Sequence, residues 1–479
     1  MTFIMHSLDK RWKEFVYAAS GFGPNIMMVF LMAYFTDAVY PVALSADKAQ
    51  WSVAGYTLIF PAVWGLLWSL GRIFDGVVDI PLAHLTDNLR TKWGNRRPAI
   101  VVSFLPMMIA YLLMWIPLEF VENSVKNTIW IMIWGVLFFT TYTMCLLAFY
   151  GSLSTVCKDE PQRVRVSSYK AFFDTVGYSL VYALVPVFLG TGVNIRSVAL
   201  YALPLMLTIL IPVFMIKEGD KYGDTTKDTP KIPFWENLRI VLKNKSFIKW
   251  ELVNCCVFFG LQIFLAAQNA LISGWMGLGA NYAAIMNTTA FAPVPLMLYF
   301  FYKIFRKKGM RFAVQTAFLL FAVSILGFIA GGKIFWPDNV TAQVVIGCIG
   351  GVMSSFSIGA FFAMPYIVPT QLAAVELELT GKNRSASYFA MQALFTSLAA
   401  AISTGVVYEY IKGLTADQLF GITAPAGEPF KLGLMFVPII VCVTCLLGWA
   451  LAFKMHKTYT KEIVAKELGV ELPQKEHGN

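Results

Sequence analysis

Three ionisable residues lie inside one apolar run: Arg72, Asp75 and Asp79, in SLGRIFDGVVDIPLAHLTD. Their spacings of three and four put all of them on one face of a helix. Two carboxylates a turn apart repel each other unless a cation or a proton sits between them. Arg72 can neutralise one, which leaves the second to take a mobile cation, the minimum apparatus of an ion-coupling site. The plainer alternative is a charge cluster that locks the helix to a neighbour, for which a single Arg–Asp pair would be enough. His84, five residues beyond Asp79, reads as a solvated or capping residue more readily than as a proton relay. Lys170 and Asp174 are spaced i, i+4 in another apolar run. Lys170 is close enough to the end of its run to snorkel, and Asp174 lies a turn deeper. Either the two satisfy each other, or they line a cavity and offer hydrogen bonds to a polar solute. Glu251, beside Lys249 and Trp250, reads as interfacial. The neutral Gln262, Gln268, Asn269, Asn287 and Gln392 read as hydrogen-bonding glue between helices.

Composition explains why so few charges are so conspicuous. The 479 residues are 57% hydrophobic and only 14% charged, against ~25% charged in soluble domains, and the mean hydropathy is +0.63. Such a chain has too little polar surface to cover a water-soluble fold and too many aromatic and aliphatic residues to stay disordered. It reads as a polytopic membrane protein, in which a charge at the middle of a membrane helix costs about 2.5–3.5 kcal/mol. The seven Cys fall in apolar runs as buried thiols. Cys442 and Cys445 make a C-x-x-C with no second pair, which argues against redox or metal chemistry. The sequence holds no nucleophile–base arrangement, metal-ligand cluster or phosphate-cradling Gly loop. A non-enzyme without cofactors is expected, and ATP-driven work would need a separate subunit.

Helices of ~20 apolar residues cross a bilayer, and twelve such runs are legible. They lie at about 14–40, 54–85, 98–118, 127–157, 169–191, 194–216, 247–273, 281–304, 311–334, 341–370, 387–412 and 431–455. The charged N-terminus, MTFIMHSLDKRWKEF, argues that span one is retained rather than cleaved. Loops on one side hold only Lys48, Lys126, Arg196, Lys333, Lys412 and Lys431 of the 38 Lys and Arg. The other side, with both termini, is therefore expected to be cytoplasmic. The net charge of +10 then orients the chain and meets anionic lipid, and nucleic acid is not an expected partner. The hydrophilic stretch 217–246 divides the chain. An N-terminal six-helix bundle is expected over 1–216, a cytoplasmic middle loop over 217–246, a second bundle over 247–456 and a cytoplasmic tail over 457–479. Two echoes support a duplication: Gly94-Asn-Arg96 recurs as Gly309-Met-Arg311, and Arg165-Val-Ser-Ser-Tyr169 as Arg384-Ser-Ala-Ser-Tyr388. The fold class is thus all-α, with twelve transmembrane helices in two pseudo-symmetric bundles, the architecture of alternating-access carriers.

Span two and its loop, Arg72-Ile-Phe-Asp75-Gly-Val-Val-Asp79-Ile-Pro81 … Asp87 … Gly94-Asn-Arg96-Arg97-Pro98, resemble the glycoside–pentoside–hexuronide:cation symporters. These form the melibiose-carrier-like branch of the major facilitator superfamily. Further resemblances are Tyr17 … Gly21 … Gly23-Pro-Asn25, Tyr150-Gly-Ser-Leu153, Arg165-x-Ser-Ser-Tyr169-Lys170 and Thr380-Gly381-Lys-Asn-Arg384. The resemblance implies a central sugar site and a site for Na⁺, Li⁺ or H⁺ at Asp75 and Asp79, with Arg72 as charge partner. It implies a cytoplasmic gate at Asp87, Arg96, Arg97, Arg165 and Arg384. It places substrate-binding candidates at Asn25, Tyr142, Phe149, Tyr150, Lys170 and Asp174.

Departures from the family pattern bear on cargo and ion. The sugar-gripping carboxylates of spans one and four are replaced, at Asn25 and near Cys145. The usual Arg entering span five is Lys170, which exchanges a planar fork for a point charge. Val78 stands where an oxygen ligand is usual, which favours H⁺ over Na⁺, because sodium needs several oxygens and a proton one carboxylate. A span-eleven lysine is missing, with Thr396 and Ser397 near its place. The expectation is a monomeric, cation-coupled symporter of a sugar-like solute in a bacterial inner membrane. The alternatives are the same fold carrying a lysolipid, or a non-transporting sensor or accessory subunit.

Overall fold

The computed structural model describes residues 8–41, 48–88, 91–94, 96–152, 156–157, 160–217, 234–380, 385–414, 432–457 and 459–468. Those residues are almost entirely helical, as a chain in hydrocarbon must be when every backbone group has to find its partner internally. Among the described residues, eleven helices are long and apolar enough to cross a membrane: Arg11–Val39, Arg96–Met114, Val125–Tyr150, Phe172–Gly190, Ile195–Met215, Lys245–Trp275, Ala280–Lys308, Met310–Ala330, Val340–Ala373, Tyr388–Lys412 and Gly433–Ala452. Span two, Pro61–Asn88, completes the set of twelve; its 28 residues are ample, and its charges set it apart. Side chains start several spans at fixed points. Ser124, Asn194 and Asn244 each accept a hydrogen bond from a backbone N–H in the first turn that follows.

The two halves repeat one another down to single contacts. Phe15, on span one, meets Tyr169 edge-on at the entrance to span five, with ring centroids 5.9 Å apart. Phe247, on span seven, meets Tyr388 edge-on at the entrance to span eleven, at 5.0 Å. First and fifth spans of each half are thus pinned by the same Phe–Tyr pair. Hydrogen bonds between the halves gather on the side away from the termini, here the far side. The Ser179 hydroxyl donates to the Phe291 carbonyl at 3.0 Å, Tyr182 to that of Leu265 at 2.8 Å, and Asn287 to that of Tyr182 at 3.0 Å. Ser69 donates to the Ala401 carbonyl at 3.2 Å. Also on the far side, Glu119 in the loop before span four accepts from the Ser124 hydroxyl and pairs with Lys126. That hydroxyl and then the ammonium hold its carboxyl below the usual carboxylate range.

Several spans are interrupted where the halves meet. Span one breaks at Ser20–Gly21, and wide π turns occupy Leu31–Phe35 in it, Leu271–Trp275 in span seven and Ala401–Tyr408 in span eleven. A π turn takes more residues per turn and so re-phases the residues that follow it. Small residues permit the tightest crossings. A Cβ on Gly23 would lie 1.7 Å from the Leu205 carbonyl oxygen, and one on Gly76 would lie 2.5 Å from Ser397 Cβ.

The structure departs from the sequence expectations in five places. The helix of span ten runs from Val340 to Thr380, 41 residues, past the expected end near 370. The hydrophilic middle stretch contains a helix, Phe234–Lys243, and the tail another, Lys461–Leu468. Glu251 is buried rather than interfacial, 1% exposed, beside Asn254. Lys412, counted above among loop charges, is wholly buried inside the protein. Four of the five neutral polar residues do act as glue: Gln268 donates to Asn287, Asn287 to Asn269, and Gln392 to the Pro365 carbonyl, whereas Gln262 lines a small cavity.

The Gly23 contact is with backbone, which cannot swing aside. Gly23→Ala is expected to cost about 1–3 kcal/mol through overpacking, read as a lower melting temperature of the detergent-purified protein. Gly55→Ala, at a site with open space but a positive φ of 76°, tests backbone strain alone.

Candidate functional site

At the middle of the N-terminal half, spans one, four and five converge on a chain of polar groups. The Tyr142 hydroxyl donates to Asn25 Oδ1 at 2.8 Å. Asn25 Nδ2 donates to Asp174 Oδ1 at 2.6 Å, and Lys170 Nζ donates to Asp174 Oδ2 at 2.5 Å. The ammonium of Lys170 also lies over the Tyr150 ring, 4.3 Å from its centroid, and 6.0 Å from that of Tyr366 on span ten. With 13% and 23% of the side chains exposed, the ion pair is not fully sealed. Lys170 and Asp174 thus satisfy each other and are connected through Asn25 to a further hydrogen-bonding group, Tyr142. Tyr178, one turn beyond Asp174, packs its ring 4.6 Å from that of Phe362 on span ten, which extends the aromatic wall across to the other half.

The local sequence explains this convergence. Tyr17 donates to the Phe149 carbonyl at 3.0 Å and lies 2.5 Å from the Ser152 hydroxyl, tying span one to the end of span four. A Cβ on Gly21 would press on the Phe149 ring at 2.9 Å. With Gly21 and Gly23 both in close contact, the turn at Ser20–Gly21 sets Pro24 and Asn25 onto a new helical segment, Phe22–Phe30, beside span five. Phe149, one of the binding candidates, is buried against Tyr17 and does not join the polar chain.

The proposed ion site lies on span two. Arg72, Asp75 and Asp79 occupy successive turns of the helix Pro61–Asn88, but their side chains are outside the described residues, as are those of His84 and Asp87. The helix backbone at this level is fixed by the Gly76 crossing against Ser397 of span eleven. Among the gate candidates, Arg165 forms a two-pronged pair with Glu14, Nη2 to Oε1 at 3.0 Å and Nε to Oε2 at 3.2 Å. Gln162 Nε2 donates to Glu14 Oε1 at 2.8 Å. That clasp joins spans one and five of one half. Arg96 and Arg97 are half-buried at the start of span three, and Arg384 lies outside the described residues.

A second charged cluster escaped the sequence reading. On the far side, Lys412 Nζ lies 3.5 Å from Asp37 Oδ1 and 3.0 Å from Glu409 Oε2, and the Tyr408 hydroxyl donates to Asp37 Oδ1 at 3.1 Å. The only signal in the sequence is the i, i+3 spacing of Glu409 and Lys412 at the end of an apolar run. No group of three or more metal-ligating side chains is found among the described residues.

The family model described as MFS/sugar transport protein matches residues 16–456. An uncharacterised symporter of Synechocystis sp. is 20% identical, over 88% of this chain and 88% of its own. A sodium-dependent lysophosphatidylcholine symporter of Danio rerio is 21% identical, over 70% of this chain and 68% of its own. Among solved structures, a D-xylose–proton symporter superposes with a TM-score of 0.63 at 12% identity, over 95% of this chain and 99% of that one. At that identity the likeness speaks for the fold alone.

Asp174 depends on Lys170 for neutralisation. Lys170→Met strands the carboxylate and is expected to destabilise the protein by about 1–3 kcal/mol. The double variant Lys170→Met/Asp174→Asn removes the stranded charge and is expected to recover most of that loss in thermal unfolding.

Proposed function

Because the chain belongs to the MFS/sugar transport protein family, we propose that it is a cation-coupled symporter that carries a sugar-like solute by alternating access. The observation that carries this reading is the polar chain Tyr142–Asn25–Asp174–Lys170, walled by Tyr150, Tyr178 and Tyr366. A glycoside, pentoside or hexuronide offers vicinal hydroxyls that donate to a carboxylate and accept from an ammonium or amide. Its apolar ring face stacks on tyrosine. Entry of such a solute exchanges the Asn25–Asp174 and Tyr142–Asn25 bonds for bonds of like kind. Direct hydrogen bonds then fix orientation more than they add affinity.

Coupling is assigned to Asp75 and Asp79, with Arg72 neutralising one of them. The uncompensated carboxylate takes H⁺ in preference to Na⁺, because Val78 between the two supplies no oxygen. Binding of the ion neutralises span two and lets it move through the low-dielectric middle of the bilayer. The gradient supplies the work: ~100 mV is worth ~2.3 kcal/mol per charge, close to fiftyfold accumulation of a neutral solute. The Lys and Arg distribution supports a cytoplasmic location for both termini. The far side, where the halves are hydrogen-bonded together, then faces outward, and the Arg165–Glu14 clasp stands at the cytoplasmic end. The likeness to a lysophosphatidylcholine symporter supports a second reading, in which an amphipathic lysolipid lies against the same aromatic wall.

Uptake into proteoliposomes separates these readings when a panel of labelled glycosides, pentoses and uronides is compared with labelled lysophosphatidylcholine. Saturable accumulation of a sugar, competed by its analogues and not by lysolipid, is the expected result. Accumulation of lysolipid alone would replace the cargo assignment. With the accepted substrate, Asp75→Asn and Asp79→Asn are expected to bring the accumulation ratio from well above one to one, while exchange of preloaded substrate continues. Tyr142→Phe is expected to raise KM severalfold with coupling intact. Retention of concentrative uptake by both Asp variants would remove the coupling assignment.

A further inference from the structure

The far-side cluster contains one more negative charge than positive. Lys412 is fully buried, and the carboxylates of Asp37 and Glu409 beside it are 13% and 5% exposed. No hydroxyl or amide of a described residue donates to Glu409, whose Oε2 is sealed from solvent, so Lys412 is its sole compensation. Two buried carboxylates against one ammonium cannot all be ionised at low cost, because an isolated charge moved out of water is heavily penalised. A metal cation is disfavoured as the extra positive charge, since it would sit beside the ammonium at about 3 Å from the same oxygens. A proton adds no new centre of charge.

Among the described residues, no second cation faces Glu409. Span eleven presents Tyr408 and Lys412, and span one presents Asp37 and Tyr40, whose ring lies 4.5 Å from the ammonium. Span five adds the Tyr182 hydroxyl. Spans two and seven contribute Trp68, Gln262 and Leu265, none of them charged, around a small cavity that Thr36, Tyr408 and Glu409 complete. The segment Leu432–Met435 adds only apolar residues.

The cluster also straddles the two halves. Asp37 belongs to the first half, and Glu409 and Lys412 to the second, where they are i, i+3 on one helix. We propose that the Asp37–Glu409–Lys412 cluster is a proton-binding site of its own, which takes up one proton when the far side closes and releases it when the far side opens. In the closed arrangement Lys412 is shared by two carboxylates, and Glu409 carries the proton. Opening carries Asp37 away into water, where it is content as an anion. Lys412 is then left to Glu409 alone, and the pair is neutral without the proton. This rests on alternating access, but neither on the identity of the cargo nor on the role of Asp75 and Asp79.

The sign follows from linkage: the closed state holds one more proton, so falling pH favours closure, by up to tenfold per pH unit. Nitroxide labels at Glu122→Cys and Asp338→Cys, exposed far-side positions on opposite halves, report the opening as a distance in the full-length protein without substrate, in an Asp75→Asn/Asp79→Asn background that removes the span-two proton site. None of the seven native thiols is exposed. Between pH 8 and pH 5 the short-distance population of the labelled parent is expected to grow. Glu409→Gln is expected to hold it high and flat, because Asp37 and Lys412 balance without a proton. Asp37→Asn is expected to lower it and make it flat, because the pair within span eleven is neutral in both states. It also keeps the test available should Glu409→Gln not fold. A slope that survives in either variant, or is missing from the parent, overturns the proposal. A surviving slope would place the proton on a group outside both this cluster and span two, and would leave the uptake assignment standing.

Discussion

A buried charge in this protein has to be answered within a few ångströms, and much of the architecture follows from where the answers come from. In a medium that cannot screen, an unanswered carboxylate is too costly to keep. Asp174 is answered by Lys170 four residues earlier, with Asn25 as a further donor. Glu14 is answered by the fork of Arg165, with Gln162 beside it. Asp37 is answered by Lys412 from the other half of the molecule. Each answer joins helices that a wholly apolar chain would leave free to slide, since lipid tails are as apolar as the helices themselves.

Span one is the element these answers have in common. Glu14, Asn25 and Asp37 lie on it at intervals of about three turns, so they sample the terminal side, the middle and the far side in turn. A straight helix would fan three such residues in directions fixed by its period. The break at Ser20–Gly21 and the π turn at Leu31–Phe35 re-phase the helix between one residue and the next. Asn25 and Asp37 thereby reach span five and span eleven respectively. A helix that touches polar partners at three depths can carry a change at one depth to the others, provided its joints are few and defined.

Legibility in the sequence tracked depth in the bilayer. Asp174 stood out because a charge deep inside an apolar run has few bland explanations, and Lys170 because it stands one turn away on the same face; Asn25, Tyr142 and Tyr150 came only with the family resemblance. Four of the five are linked by hydrogen bonds while Tyr150 lies under the Lys170 ammonium. Phe149 stood out only by neighbourhood and packs into the joint between spans one and four. Asp37, Glu409 and Lys412 were passed over because they stand near the ends of runs, where charges ordinarily meet water. Only tertiary packing of span one on span eleven encloses them. Glu251 failed for the same reason, its neighbours Lys249 and Trp250 imitating an interface. The extension of span ten could not be read from hydropathy, which marks where a helix leaves the lipid and not where it ends.

That extension has a mechanical side. At 1.5 Å per residue a 41-residue helix is about 60 Å long, roughly twice the hydrocarbon thickness of ~30 Å. Its terminal-side end is bound sideways: Tyr388 of span eleven donates to Glu376 at 2.7 Å and accepts from Asn244, next to the helix Phe234–Lys243, at 2.8 Å. Spans ten and eleven and the connector therefore stand out of the bilayer as one braced mast. The ten residues beyond 370 add about 15 Å, so a 10° tilt of the second half within the membrane displaces the masthead by about 3 Å relative to the base of that extension. Any molecule resting against that masthead in the aqueous phase would feel the transport cycle as a push.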